Sequence, residues 1–305
     1  MLDRMRAIVL PEYGPPSALA LKDVPEPQPG PGEVKVRVIA AGLNPIDWKL
    51  RSGSYKAYWP LQLPAVLGRD VSGQVVAVGS GVTSPRVGER VIGLVNHGYA
   101  EFVVAPITAW AEAPAGMDLV DAAALPLVLT TGSQLVETAA DVAKGETVLV
   151  TGALGSVGRV AVFCAKARGA HVYAGVRTTQ AAEAAKLGVA GVVALDDERA
   201  IEALPALDAL ADTVGGPTTQ KLLAKIKTGG RIGSVVGEPQ GAKERGLAVR
   251  AFMAQPDSKR LAELAADVGA RRLTIPIAKR FPLAEAAKAH AFAEKGGVGK
   301  VLLTL

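Results

Sequence analysis

The sequence predicts an α/β protein in two parts, a doubly wound parallel sheet joined to a compact domain of β-barrel type. Three observations carry that prediction. The first 115 residues are punctuated throughout by Pro and Gly and hold short alternating runs with hardly any helical period, as closed antiparallel domains do. From Glu146 onward strand and helix patterns alternate, the order that builds a parallel sheet covered on both faces through right-handed crossovers. The length of 305 residues suits two domains of roughly 150 residues each.

In the first part, Pro25, Pro27, Pro29, Gly30, Pro31 and Gly32 form a rigid connector into an alternating run over 33–40. There Val34, Val36 and Val38 face one way and Lys35 and Arg37 the other, as in a half-buried strand. Further strands read at 71–78, 90–92 and 100–104, and residues 118–142 turn Ala-rich with a longer period. Beyond them the spacing predicts strands at 147–151, 171–176, 192–195, 209–214, 231–236 and 247–252, with helices at 157–168, 181–187 and 218–227. Around Arg271 the chain turns β-like again, and an amphipathic helix over 283–294 precedes a last strand at 300–305. The tail is expected to return to the first part. That gives residues 1–121 and 269–305 to the barrel-type domain and 122–268 to the sheet domain.

Apolar residues make up 49% of the chain and charged residues 21%, which supports a real core and excludes intrinsic disorder. Lys and Arg number 34 against 29 Asp and Glu, a net charge of +5. These charges are spread out, with no basic run interleaved with aromatics, so a small phosphorylated ligand suits them as well as nucleic acid does. The single cysteine, Cys164, excludes an internal disulfide and any zinc site built from three or four thiolates; it reads as a buried helix residue and implies a reducing, cytoplasmic setting. The apolar stretch at 7–10 is too short for a secretory signal, and the uncharged stretch at 122–136 too short and polar to cross a bilayer. A soluble protein is expected.

The most informative stretch is 146–160. An apolar strand runs directly into Gly152, Ala153, Gly155, Ser156, Val157 and Gly158, with a helix opening near Ser156. Such a turn aims free N–H groups and a positive helix end at a pyrophosphate. The strict G-x-G-x-x-G frame would place its first glycine at 153, where this chain has Ala153. An NAD site usually ends its second strand with an acid that holds the ribose 2′-hydroxyl. Here that strand ends Val176-Arg177-Thr178-Thr179, and no acid follows until Glu183. Arg177 suits a 2′-phosphate bidentately, Thr178 adds a hydroxyl, and Lys186 adds a second charge. NADPH is expected over NADH, the competing reading of Arg177 being a solvated surface arginine.

With those residues in view, the chain resembles the medium-chain dehydrogenase/reductase superfamily, and most of all its zinc-independent quinone oxidoreductase and alkenal (enone) reductase branch. The resemblance covers nearly the whole length. It is carried by Ala40-Ala-Gly-Leu-Asn-Pro-Ile-Asp-Trp-Lys-Leu-Arg-Ser-Gly, by Leu67-Gly-Arg-Asp-Val-Ser-Gly-Gln-Val-Val-Ala-Val-Gly with Val87-Gly-Glu-Arg-Val-Ile-Gly, by Gly98-Tyr-Ala-Glu-Phe, and by Leu125-Pro with Thr130-Thr-Gly. It implies a Rossmann domain plus a GroES-like catalytic domain, and hydride transfer from NADPH to a quinone or to the C=C of an α,β-unsaturated carbonyl. The zinc alcohol dehydrogenases of the superfamily carry Cys where Asn44 stands and Gly-His-Glu where Gly68-Arg69-Asp70 stands, and His97, His171 and His290 are scattered; no metal is expected. The tail reads Gly296-Gly-Val-Gly-Lys300, where a His before Gly-Lys is common in the branch.

The resemblance further implies a cleft between the domains, with the nicotinamide near Asn44, Thr131, Val236 and Gly237. Asp212-Thr-Val-Gly-Gly216, including Val214, would end the fourth sheet strand beside the cofactor. Asn44 would donate a hydrogen bond to cofactor or substrate, or else serve as a turn residue before Pro45. Lys49 would stabilise an enolate oxygen or pass a proton, or else be a solvated charge. Tyr55, Tyr58 and Trp59 form an aromatic cluster where a flat substrate would stack, unless they pack the barrel edge; Asp47 and Arg51 are read as a structural pair. Two other classes compete: an NADPH-binding protein with little catalysis and a nucleic-acid or structural role, and an enoyl-thioester reductase. A homodimer is expected through the edge strand within 245–254, with no membrane partner.

Overall fold

The structure is a computed structural model that describes residues 3–297 and 299–305. It divides the chain into two compact units, residues 1–127 with 256–305, and residues 128–255.

The N-terminal unit begins with two strands that the punctuated sequence did not reveal, β1 (Arg4–Leu10) and β2 (Ala20–Pro25), paired antiparallel. The alternating valines build β3 (Glu33–Leu43), and Val34, Val36 and Val38 are buried as expected. Lys35 is a correction. It is buried too, because Glu26, Gln28 and the Phe102 ring cover its ammonium, paired with Glu26 at 2.5 Å, while Arg37 on the same face stays exposed. Next comes a helix where only irregular chain was expected, α1 (Pro45–Ser52). Pro45 at its first position costs no intrahelical hydrogen bond, since an N–H there would have no partner, and Gly53 closes the helix at φ +77°. Then follow β4 (Ala65–Val66), β5 (Asp70–Val78), β6 (Arg90–Leu94), β7 (Phe102–Pro106) and β8 (Trp110–Glu112), and the short helix α2 (Leu119–Ala122). β3 is the hub, antiparallel to β5 on one side and to β7 on the other.

Helix α3 (Pro126–Gln134) crosses from the first unit into the second and continues as a π-helical turn, Leu135–Ala139. The run Leu119–Ala139 has the length and mean hydropathy (1.4) of a membrane span, but 67% of it is buried within the protein, as in a core helix. The second unit is a six-stranded, all-parallel sheet of β9 (Thr147–Thr151), β10 (His171–Val176), β11 (Gly191–Ala194), β12 (Leu207–Asp212), β13 (Ile226–Ser234) and β14 (Ala248–Ala251). Its order is β11-β10-β9-β12-β13-β14, the doubly wound 3-2-1-4-5-6 order whose direction reverses between the first and fourth strands. The connecting helices are α4 (Ser156–Ala167), α5 (Ala181–Ala185), α6 (Glu198–Glu202) and α7 (Gly216–Leu222). The helix expected to run to 227 stops five residues early, since Ile226 already pairs with Leu207 in the sheet. Val148, Leu149 and Val150 are all fully buried, as a central parallel strand requires.

The chain then returns to the first unit through α8 (Ser258–Gly269), β15 (Ile277–Pro282), α9 (Ala286–Ala293) and β16 (Lys300–Thr304). β16 pairs antiparallel with the C-terminal half of β3. The boundaries expected at 121/122 and 268/269 move to 127/128 and 255/256. The first moves because α2 packs on β3, β5 and β16, the second because α8 packs on β8. Only Leu261, Leu264 and Ala265 of α8 are buried, a stripe too thin to stand out among its charges.

Candidate functional site

In the sheet unit, β9 leads straight into Gly152, which sits at φ +63°, a conformation that glycine alone adopts freely. A Cβ on Gly158 would lie 2.1 Å from the Gly152 carbonyl oxygen, so only glycine lets the first turn of α4 close against the loop. Gly155 N-caps α4 and is exposed, with Ser156 and Val157 half-buried beside it. The positive end of α4 thus opens outward over a backbone cradle, which fits a dinucleotide pyrophosphate. Ala153 is a correction. Its side chain is fully buried and its N–H donates to the Gly175 carbonyl at 3.2 Å, so it props the loop from beneath.

The buried Asp212 carboxylate, expected from sequence only as part of a strand-end segment, anchors the neighbouring strand ends. It accepts from Thr151 Oγ1 at 2.7 Å, from the N–H groups of Val214 and Gly215 at 3.1 Å, and from Thr219 Oγ1 at 2.8 Å. The chain beyond it presents Val214 at 46% exposure, and the end of β13 presents Val236 at 36% with Gly237 at φ +106°. These apolar tips stand at the carboxyl ends of the strands beside the topological switch point, where such sheets bind ligands. Thr131 lies buried on α3.

At the end of β10, Arg177 is exposed. The N–H and hydroxyl of Thr178 donate to Asp196 Oδ1 at 2.7 and 2.8 Å. Those bonds, with the Arg177 charge behind them, hold the Asp196 carboxyl below its usual range. Thr178 is therefore committed to an acid delivered by the end of β11, which reading the second strand alone had missed. Lys186 is likewise engaged, with Glu183 at 2.7 Å on an exposed surface. Of the three residues assigned to a 2′-phosphate, Thr178 and Lys186 are engaged with acids and Arg177 is exposed.

The second constellation lies in the barrel unit. Asn44 N-caps α1, and its N–H donates to Asp47 Oδ2 at 2.8 Å. Its side-chain amide is 1% exposed, with Nδ2 donating to Asp70 Oδ2 at 2.8 Å and Oδ1 accepting from Lys300 Nζ at 2.5 Å. Lys300 also donates to Asp70 Oδ2 at 2.8 Å, and Asp70 Oδ1 accepts the Leu127 N–H at 2.5 Å. The amide expected to reach cofactor or substrate is thus spent inside the fold. Burial pushes the Asp47 carboxyl up to about 6, with the Asp70 charge adding to it and the Asn44 N–H opposing. Burial likewise pushes the Tyr99 phenol well above 10, reinforced by Asp47. The expected Asp47–Arg51 pair does not form. Arg51 instead donates to the Gly14 carbonyl at 3.0 Å, to Glu294, and towards His290 Nδ1 at 3.4 Å; buried His290 is pushed down to about 3.

Beyond α1, Tyr58 and Trp59 both donate their N–H to the Tyr55 carbonyl, at 3.0 and 2.8 Å, a tight turn that groups the three rings. Tyr55 and Trp59 rest partly on the barrel core while Tyr58 is 81% exposed. Lys49 Nζ lies 5.0 Å from the Tyr55 ring centre. Among the described residues no group of three His, Cys, Asp or Glu is placed to hold a metal ion. At the positions where zinc enzymes of the resembled superfamily keep ligands, Asn44 and Asp70 are bridged by an ammonium, so the donor set does not fit zinc. The tail stretch 296–300 includes Val298, outside the described residues, and among its described residues only Lys300 joins the cluster.

A doubly wound dinucleotide sheet and a GroES-like unit in one chain are the build of a nicotinamide-dependent oxidoreductase. Residues 30–115 match the alcohol dehydrogenase GroES-like domain, and 187–303 the zinc-binding dehydrogenase domain. The chain is 37% identical over 180 residues to an Arabidopsis thaliana chloroplast envelope quinone oxidoreductase homolog, 56% of this chain and 55% of that one. It is 32% identical over 251 residues to the NADPH-dependent alkenal/one oxidoreductase of the same plant, 76% of this chain and 63% of that one. The matched stretches thus span between half and two thirds of those relatives. Among solved structures, the quinone oxidoreductase of Coxiella burnetii superposes with a TM-score of 0.89 at 30% identity, covering 99% of this chain and 100% of that one. The chain belongs to the medium-chain dehydrogenase/reductase superfamily, in the branch of the quinone and alkenal/one oxidoreductases.

Proposed function

We propose that the protein transfers hydride from NADPH to a quinone or to the C=C of an α,β-unsaturated carbonyl without a metal ion. The observation that carries this reading is the Lys300 ammonium lodged between Asn44 and Asp70. With that position filled by a fixed cation, an alcohol is not activated as a metal alkoxide, whereas an already electrophilic acceptor needs no such activation. When bound, the nicotinamide supplies two electrons and a proton as hydride. The Gly152–Gly158 loop and the α4 N-terminus would hold its pyrophosphate, Arg177 would hold its 2′-phosphate, and Val214 and Val236 would offer apolar contact to its ring. Hydride addition leaves negative charge on the acceptor oxygen; Lys49 stabilises it, and Tyr55 supports the flat acceptor, before a proton completes the hydroquinone or the saturated carbonyl.

The NADPH preference rests on Arg177 and on the relative whose name includes that cofactor. The exposed edge strand β14 supports a homodimer, since unpaired strand edges invite pairing, and the lone buried cysteine suits a cytoplasmic location. The test is steady-state oxidation of NADPH and NADH with 1,4-benzoquinone and a simple enone in the presence of chelator. Turnover insensitive to chelator is expected, with NADPH preferred about tenfold, the worth of one charge-assisted bidentate contact. In Arg177→Ala that preference should collapse. Activity lost on chelation would refute the metal-free reading.

A further inference from the structure

Among the described residues of the barrel unit, three cations lie on aromatic rings with no hydrogen bond or ion pair: Lys279 on Phe281 and Phe292 and, at a single turn, Arg69 and Lys49. Arg69 Cζ sits 4.8 Å from the Trp59 ring centre, as Lys49 Nζ sits over Tyr55. Among the described residues, neither cation makes a hydrogen bond or ion pair, and Arg69 Nε is a fully buried donor without a partner. Of the carboxylates that sense the Arg69 charge, Asp70 is engaged with Asn44, Lys300 and the Leu127 N–H, while Asp47 accepts the Asn44 N–H through Oδ2 and keeps a buried Oδ1 that makes no hydrogen bond, to Arg69 or to any other described residue. A ring face is a weaker partner than a carboxylate, and a half-buried guanidinium lacking an acceptor is costly. Both rings belong to one turn, with Tyr58 5.6 Å from Tyr55 and facing solvent. The turn thus carries a cation against each of two of its rings, Lys49 against Tyr55 and Arg69 against Trp59.

We infer that Arg69, Lys49 and the Tyr55–Trp59 turn form a subsite for a planar conjugated carbonyl compound that carries a permanent anionic group, which pairs with the Arg69 guanidinium. The planar body stacks on the rings while Arg69 supplies the planar fork that suits a carboxylate, sulfonate or phosphate. This assignment rests on the hydride-transfer reading and narrows its substrate class to acidic acceptors.

The test compares kcat/KM for 1,4-naphthoquinone and 1,4-naphthoquinone-2-sulfonate with NADPH at low ionic strength, in wild type, Arg69→Met and Lys49→Met. Because the two quinones differ in intrinsic reactivity, the readout is the change in their ratio between wild type and variant. The sulfonate-to-neutral ratio should fall about tenfold in R69M and about threefold in K49M, as expected for a direct and a flanking charge. A ratio unchanged in R69M, or both quinones falling in parallel, overturns the subsite. Should R69M not fold, wild type inhibited by naphthalene-2-sulfonate more strongly than by naphthalene, and less so with added salt, supports it; equal inhibition overturns it. Turnover of both quinones without charge discrimination sinks the subsite alone. Salt-sensitive binding of naphthalene-2-sulfonate with no turnover of either quinone leaves the subsite standing and refutes the hydride-transfer reading.

Discussion

In the sheet unit the candidate site is made of backbone, a loop of three glycines closing on a helix N-terminus within seven residues of sequence. In the barrel unit it is made of side chains that meet across 26 positions from Asn44 to Asp70 and 256 from Asn44 to Lys300. The first site depends on what is missing, a Cβ at 152 and 158; the second on charges that compensate each other out of water. Backbone geometry of this kind is local and tolerates no bulk. A buried charge cluster fails in another way, through the loss of a partner.

The sharpest test of that contrast is Lys300→Met. It strands the Asp70 carboxylate in the interior and should cost about 3–5 kcal/mol, the usual penalty for breaking a buried pair. Urea unfolding reads the loss, and the double variant K300M/D70N should recover much of it. A loss under about 1 kcal/mol would mean that packing, not charge, holds the cluster. Its counterpart is Gly158→Ala, whose new Cβ meets the Gly152 carbonyl. NADPH affinity measured by calorimetry should fall about 100-fold, or nearly 3 kcal/mol, with the barrel unit's stability little changed.

The cluster also carries two buried groups of opposite sign. Asp47 has its folded pKa raised to about 6 from 3.8, so the stability tied to it is greatest at low pH and declines as pH climbs through that window. His290 has its folded pKa lowered to about 3 from 6.5, so its share is complete above pH 6.5 and is lost as pH falls toward 3. In full the two shifts are worth about 3 kcal/mol for Asp47 and about 5 kcal/mol for His290, and over pH 4–6 the two slopes oppose. Asp47→Asn should leave the His290 loss unopposed and steepen acid destabilisation, whereas His290→Gln should flatten it or reverse it. Unfolding curves at pH 7, 5.5 and 4.5 decide the point, and parallel profiles for both variants would show that these groups titrate elsewhere. The smallest effect belongs to Lys186→Ala. Because that ammonium sits exposed on Glu183, the KM for NADPH should change by less than about threefold, and a larger change would return Lys186 to the 2′-phosphate site.

The sheet unit was largely legible. Its strand spacing, the glycine loop and Arg177 all lie in short windows where period and residue type speak directly. What misled there was still non-local: Asp196 reaches Thr178 from the next strand, and Ala153 turns beneath the loop. In the barrel unit the motif residues Asn44, Lys49, Tyr55 and Asp70 stood out, but their partners did not. The Asp47–Arg51 pairing, plausible from adjacency on α1, lost to Arg51 reaching Gly14 and Glu294.

By itself, then, the sequence determined the two-part α/β architecture, the phosphate loop and the superfamily, because hydrophobic period and glycine requirement act within one turn or strand. Only the tertiary structure decided that Lys300 fills the space between Asn44 and Asp70, that Asn44 turns inward, and that Arg69 is left with a ring and no acceptor. Whether a buried charge is paired depends on which distant segment is folded against it, and no local pattern encodes that distance.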